Sequence, residues 1–327
     1  MQKSDKKNLR ERLDRLKIIQ GPLAGVSCWP FRRSVWQHAC PAWVYTEMVL
    51  ANTVLQGRPN AKKRYLGTYP DEGPGCLQVA VSCPGQAAKV AREAQKTAYS
   101  VLDLNSGCPV KKIRKREQGS KLLECPEKLR QILRAMRDHC DLAISVKIRL
   151  AASKRQEDDQ RVLEAVNQAS PDYLIVHGRS YQDDYTVPCN HRAIAWFCEQ
   201  TSIPVIGNGD IKDAASAQAL LYAGCAGVMV SRASVGAPWC IGQIQRGLKI
   251  TDTQTGVPSK EESWQSYLAH LNDLHKLYDG NDQPIRGQAQ GLAKYYAKRN
   301  GWPKDWLDKV AKWETILVNQ QGCTTKR

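Results

Sequence analysis

The chain has 327 residues, of which 42% are hydrophobic and 24% charged, and its 48 Lys and Arg against 32 Asp and Glu leave a formal charge of +16. This is the composition of a globular protein long enough to bury a sizeable core; no apolar run reaches membrane-spanning length, and the cationic surplus points to a polyanionic partner such as nucleic acid. Twelve irregularly spaced cysteines without a C-x-x-C pair exclude a zinc ribbon or finger.

In chain order, residues 1–17 make a charged arm that mixes acids with bases, unlike a secretory leader or transit peptide. With no leader ahead of them, the cysteines read as reduced thiols of a cytoplasmic protein. The arm itself reads as a disordered extension, an added RNA contact or a misplaced start. Short β-branched runs then follow: KIIQGPLAG (17–25), VYTEM (44–48), CLQVAV (76–81), VLDLN (101–105), ISVKIR (144–149), YLIVHG (173–178), PVIGNG (204–209) and GVMVS (227–231). Helical patterns separate them, at 84–95 and 126–140 for example. In the second, Leu129, Ile132, Leu133 and Met136 recur at helical spacing, and Pro126 and Glu127 suit a first turn.

Eight strands alternating with helices predict an α/β fold, a TIM (β/α)8 barrel over 18–250 rather than an open sheet. Several strands end in polar residues: Asn105, Arg149, His177, Asn208 with Gly209 and Asp210, and Ser231 with Arg232. In a barrel those ends share the face on which sites are built. From 255 to 327 the pattern changes to helices alone, predicting a small all-helical C-terminal domain that binds RNA. Trp264, Tyr267, Leu268, Leu271, Leu274 and Tyr278 keep helical spacing, as do Trp306, Val310, Trp313 and Leu317, so these aromatics read as core. Arg286, Lys294, Lys298, Arg299 and Lys304 form either a phosphate-facing surface or an ordinary solvated face.

The stretch DLNSGCPVKKIRKREQG (103–119) sets Cys108 between Gly107 and Pro109 where the chain leaves a strand, and five of the six residues from Lys111 to Arg116 are basic. Nearby cations are expected to lower the thiol pKa. Lys147 ends an apolar strand, where a cation needs an anionic or electron-rich partner. GNGD (207–210) and SRAS (231–234) follow the last two strands, where barrels often hold phosphate. Together these suggest a phosphorylated cofactor; flavin mononucleotide fits best, with a phosphorylated sugar as the alternative. A thiol beside a reduced flavin could serve as a general acid.

LNSGCPVKK, together with AGVSCWPFR (24–32), TEM (46–48), LQVAV (77–81), SVKIRL (145–150), VHGRS (176–180), PVIGNGDI (204–211) and GVMVSRASVGAPW (227–239), resembles the motif series of the tRNA-dihydrouridine synthases, in order and spacing. The resemblance implies a barrel holding FMN, NADPH as electron source, and reduction of the 5,6 double bond of a uridine in tRNA. In that chemistry hydride passes from flavin N5 to uracil C6 and a loop cysteine protonates C5. Carried onto this chain, the acid is Cys108. Pro22, Leu23 and Ala24 supply the first-strand flavin contact, Gln78 and Lys147 touch the isoalloxazine, and His177 lies close to its phosphate or ring. Asn208, Gly209, Asp210, Ser231 and Arg232 clasp the ribityl phosphate. Asn105 and Lys111 meet the uridine or its neighbours, Lys112 and Arg114 the RNA backbone, and Arg286 and Lys294 extend the RNA surface.

The chain departs from the family pattern at four places. It has GPL (21–23) where A-P-M is usual, Ser231 where Gly precedes the arginine, only Gly119-Ser120 after the basic loop, and Ala151 where Gly is typical. These departures motivate an alternative, a catalytically weakened paralogue that binds structured RNA. A monomer without a metal is expected.

Overall fold

The structure, a computed structural model, describes residues 4–70, 72–152, 155–251 and 256–311. The β-branched runs form nine parallel strand segments: β1 (Ile18–Gln20), β2 (Val44–Tyr45), β3 (Val49–Leu50), β4 (Gly75–Ala80), β5 (Val101–Ser106), β6 (Ala143–Leu150), β7 (Tyr173–Ser180), β8 (Val205–Asn208) and β9 (Gly227–Val230). β2 and β3 both pair with β4, through Val44↔Gly75 and Val49↔Val79. They are two halves of one barrel strand, interrupted over 46–48. β1 pairs with both β2 and β9 and closes the ring. The result is the expected eight-stranded β/α barrel, its strands buried on both faces as an enclosed parallel sheet requires.

Helices wrap the barrel in chain order: α1 (Ser4–Leu16), α2 (Trp29–His38), α3 (Ala51–Gln56), α4 (Pro59–Leu66), α5 (Pro84–Ala94), α6 (Lys111–Arg114), α7 (Pro126–Arg137), α8 (Gln156–Ala169), α9 (His191–Gln200), α10 (Ala214–Tyr222) and α11 (Cys240–Gly247). α7 buries Leu129, Ile132, Leu133 and Met136, the stripe its periodicity predicts. The first strand is shorter than the 17–25 read from sequence. Pro22 cannot donate to a ladder, so the chain leaves β1 as a turn that carries Pro22, Leu23 and Ala24 onto the barrel rim.

The N-terminal arm is a helix. Leu9, Leu13 and Leu16 of α1 are buried against Ile19, Trp43, Tyr45 and Met229, closing the N-terminal mouth of the barrel. The fit is close: a Cβ at Gly227 would sit 2.7 Å from Leu13 Cδ1. Arg12 anchors the helix by donating to the carbonyls of Pro41 and Ala42, each at 3.0 Å.

Three further helices follow, α12 (Lys260–Leu277), α13 (Asp282–Asn300) and α14 (Lys304–Ala311). Their aromatics pack together, exposed Tyr295 apart: Tyr296 stacks on Trp302 at 5.5 Å, and Trp264 meets Trp302 edge-on at 5.0 Å. Trp302 Nε1 donates to Ser263 Oγ at 2.7 Å, so its polar end is satisfied too. Trp313 and Leu317 lie outside the described residues. The group docks on the barrel through Arg33, which donates to both carboxylate oxygens of Asp273 at 2.7 and 2.8 Å, and through Asn300, which donates to the Gly236 carbonyl at 3.0 Å. Gly236, at φ +73°, lies so close to the α13 backbone that a Cβ would fall 2.5 Å from the Tyr295 carbonyl carbon. That contact brings the end of α13 to the barrel rim. No described helix is long and apolar enough to cross a membrane.

Candidate active site

A cavity of about 680 Å³ opens at the strand C-termini, a size ordinary for a cofactor or substrate pocket. Every residue expected at a flavin lines it. Pro22, Leu23 and Ala24 come from the turn after β1, Gln78 from β4, Lys147 from β6, His177 from β7, Asn208, Gly209 and Asp210 from β8 and its turn, Ser231 and Arg232 from beyond β9. Parallel strands share one direction, so their polar ends necessarily converge.

At one end the cavity is cationic. Asp210 accepts from Arg179 Nη2 at 2.5 Å and from Arg232 Nη2 at 3.1 Å, while the Tyr185 ring covers the Arg232 guanidinium at 3.8 Å. The carboxylate therefore orients two arginines and is not itself a ligand for an anion. Arg299 of α13 reaches the same wall and donates to the Arg232 carbonyl at 3.0 Å. Gly209, at φ +123°, has no room for a side chain: a Cβ would meet Cys189 Sγ at 2.4 Å. Burial and the cations of Lys147, Arg149, Arg179 and Arg232 push the His177 pKa far down, so this imidazole is neutral. The chemistry of this end suits a phosphate.

Along the wall, Lys147 is half-buried and its ammonium has no hydrogen-bond partner among the described residues. Burial, helped by Arg149 and opposed by Asp103, lowers its pKa to about 8. A desolvated cation left open to a cavity is a seat for an electron-rich or anionic group, and an isoalloxazine fits. Gln78 stands on β4, separated from the Lys147 strand by β5. Its Nε2 donates to Asp103 Oδ2 at 2.8 Å, and its Oε1 accepts from Asn105 Nδ2 at 2.8 Å. Asp103 also accepts from Ser145 Oγ at 2.6 Å; burial raises its pKa to about 6, against the lowering effect of Ser145, Gln78 and Lys147.

The third wall is the cysteine loop. Asn105 Oδ1 accepts from the main-chain N–H of Gly107 at 3.2 Å and of Cys108 at 2.9 Å, while Ser120 donates through N and Oγ to the Cys108 carbonyl at 3.1 and 3.0 Å. The thiol is half-buried on the cavity wall. Here the expected pKa is corrected. Burial raises it, with only the Val110 backbone and Arg149 opposing. The basic run does not surround the thiol, because α6 turns Lys111 and Lys112 into solvent, and Lys115 and Arg116 are exposed beyond it. Arg114 folds back onto Ser120 and Glu124 and stacks 3.7 Å from the Tyr181 ring. Lys111, Lys112, Arg114, Arg286 and Lys294 all lie outside the cavity. Arg286 and Lys294 are exposed on α13.

Met48, Arg149, Tyr185, Lys212 and Arg299 also line the cavity. Arg149 is marked in the sequence as a polar strand end and Arg299 as one of the cations of a phosphate-facing or solvated helix face, whereas Tyr185, brought in by a long loop, carries no signal.

Position and chemistry together define a barrel enzyme that holds its reagents at the strand ends, with a phosphate-like subsite and a thiol facing one another across the cavity. The family model described as dihydrouridine synthase (Dus) matches residues 19–325. The chain belongs to that family and is an oxidoreductase. It is 30% identical to the "Probable tRNA-dihydrouridine synthase" of Rhodobacter capsulatus, over 85% of each chain. It is likewise 30% identical to tRNA-dihydrouridine synthase B of Escherichia coli K12, over 81% of this chain and 82% of that one. Among solved structures, "Crystal structure of TcOYE with pHBA" superposes with a TM-score of 0.54 over 70% of this chain and 88% of that one. At 9% identity this is a likeness of fold.

Proposed function

We propose that the protein reduces the 5,6 double bond of uridine in tRNA to 5,6-dihydrouridine, with FMN as bound cofactor, NADPH as reductant and Cys108 as the general acid. The observation that carries the reading is the half-buried Cys108 thiol on a wall of the cavity whose other walls are the expected flavin contacts. The flavin, when bound, supplies the hydride that reaches uracil C6. Arg232, oriented by Asp210, holds the phosphate with help from Arg299, and Lys147 and Gln78 hold the ring. Neutral His177 accepts from Arg179 Nη1 at 3.3 Å through Nε2, which leaves its Nδ1–H to donate one hydrogen bond without adding charge.

Cys108 carries the proton for C5. A general acid must be protonated when its substrate arrives, and the upward shift of the buried thiol keeps it so at neutral pH. Once the proton has gone, Arg149 stabilises the sulfur left negative. The target base must leave its stack to reach the cavity floor, and the exposed Lys111 and Lys112 stand where they can hold the backbone of the displaced strand.

Cys108→Ala tests the assignment. It should retain the visible flavin band and its bleaching by NADPH, yet form dihydrouridine in tRNA at least about a hundredfold more slowly by nucleoside mass spectrometry. Wild-type dihydrouridine formation would remove the cysteine from the mechanism. A wild-type protein that refuses FMN would overturn the cofactor.

A further inference from the structure

The barrel interior holds a carboxylate that neither the cofactor nor the substrate contacts account for. Asp103 is fully buried on β5, level with Gln78 of β4 on one side and Ser145 of β6 on the other. We propose that Asp103 is a positioning residue whose carboxylate fixes the amide of Gln78, which fixes that of Asn105, which sets the main chain of Cys108.

The argument is one of polarity. A side-chain amide donates from one end and accepts at the other, so orienting one end orients both. The Asp103 carboxylate only accepts, and it takes Gln78 Nε2–H at 2.8 Å. Gln78 must then present its oxygen to Asn105, whose Nδ2 donates to it at 2.8 Å. Asn105 in turn presents oxygen to the N–H groups of Gly107 and Cys108, which can only donate. The two ends of the chain are fixed independently, by a carboxylate and by backbone amides, and they demand the same orientation of both amides between them. With either amide reversed, two like groups would face each other, a costly arrangement in a buried network. An apolar side chain at 103 would fill the layer at less desolvation cost, but it would leave Gln78 free to turn. Asp103 lies behind Gln78 and Asn105, and acts through them.

This rests on Cys108 being the proton donor, but its test reads the loop rather than the reaction. In the purified full chain, alkylation of Cys108 by iodoacetamide is followed by mass spectrometry, with exposed Cys83 and Cys125 as internal references. Asp103→Leu should alkylate Cys108 about tenfold faster, as expected when one hydrogen-bonded restraint is lost, with both references unchanged. Its kcat for dihydrouridine formation should fall about tenfold to a hundredfold, with KM for tRNA held within about twofold, the mark of lost positioning rather than lost binding. Asp103→Asn should rescue both readouts: its amide oxygen still accepts from Gln78, and the Ser145 hydroxyl can rotate to accept from its nitrogen. Gln78→Met cuts the chain in the middle with Asp103 intact, should accelerate alkylation equally, and serves if Asp103→Leu does not fold. Wild-type alkylation in Asp103→Leu or Gln78→Met would overturn the proposal, as would an Asp103→Asn variant as impaired as Asp103→Leu. Faster alkylation in Asp103→Leu combined with full activity in Cys108→Ala would keep the relay and discard the acid.

Discussion

Gly21 and Ser231 lie side by side where β1 and β9 end, the Gly21 N–H donating to the Val230 carbonyl at 2.8 Å. A Cβ on Gly21 would meet Ser231 Oγ at 2.4 Å and the Met229 side chain at 2.7 Å. The family resemblance places Ala at the first position and Gly at the second, so two of this chain's departures are one exchange: the small side chain has moved across the strand pair. Asn208 Nδ2 lies 3.4 Å from the Ser231 hydroxyl, which gives the transferred group a polar neighbour. This accommodation answers the departures at Gly21 and Ser231, two of the positions that motivated reading the chain as a catalytically weakened paralogue. Gly21→Ala alone should overpack the rim, costing about 1–3 kcal/mol, and should weaken FMN binding. Adding Ser231→Gly should restore most of both losses. Melting temperature and a flavin titration across the four members of the double-mutant cycle measure the coupling. If the two substitutions simply add, the contact is not what relates them.

At the scale of elements, α1 shows what local pattern hides. Its three core leucines, Leu9, Leu13 and Leu16, follow helical spacing but sit in a segment otherwise dense in charge, so the sequence reads as a solvated arm. The barrel's open N-terminal mouth, a tertiary feature, is what makes that thin stripe sufficient. Leu13→Ala should therefore cost about 2–5 kcal/mol and lower the thermal midpoint while leaving tRNA affinity unchanged. A loss of tRNA binding with an unchanged midpoint would instead make α1 an RNA contact. The strands were readable because a parallel sheet buried on both faces needs continuous β-branched runs, and their shared direction collects polar ends without any further information. Cys108 was misread in one respect. Five cations close in sequence suggested a thiolate, yet a single turn of helix at α6 points Lys111 and Lys112 away and leaves burial to set the titration. Arg299 was legible only as one cation of a phosphate-facing or solvated helix face, and Tyr185 not at all, because each reaches the cavity only where a separate element packs there.

Over the whole molecule, the excess of 16 positive charges favours a polyanionic partner. Asp210 at the cavity is paired with two arginines, and Glu124 beyond the cysteine loop with Arg114 and Lys121. Lys111 and Lys112 lie on the cysteine side. On α13, Arg286 and Lys294 are exposed, eight residues apart and on the side away from buried Ile285, Ala289 and Leu292. α13 ends at the cavity wall, which Arg299 lines. A folded RNA lowered onto this surface would be held at two places, with the target base between them. Such binding releases counterions, so log K should fall linearly with log salt, each phosphate contact adding about 0.7–0.9 to the slope. Lys111→Ala with Lys112→Ala, and separately Arg286→Ala with Lys294→Ala, should each weaken tRNA binding and reduce the slope by about 1–2, with flavin content unchanged. Filter binding over a range of salt concentrations separates the flanks. A slope that moves for the first pair alone would confine RNA contact to the cysteine loop and leave α13 as packing, whereas movement for both identifies the two flanks as one surface.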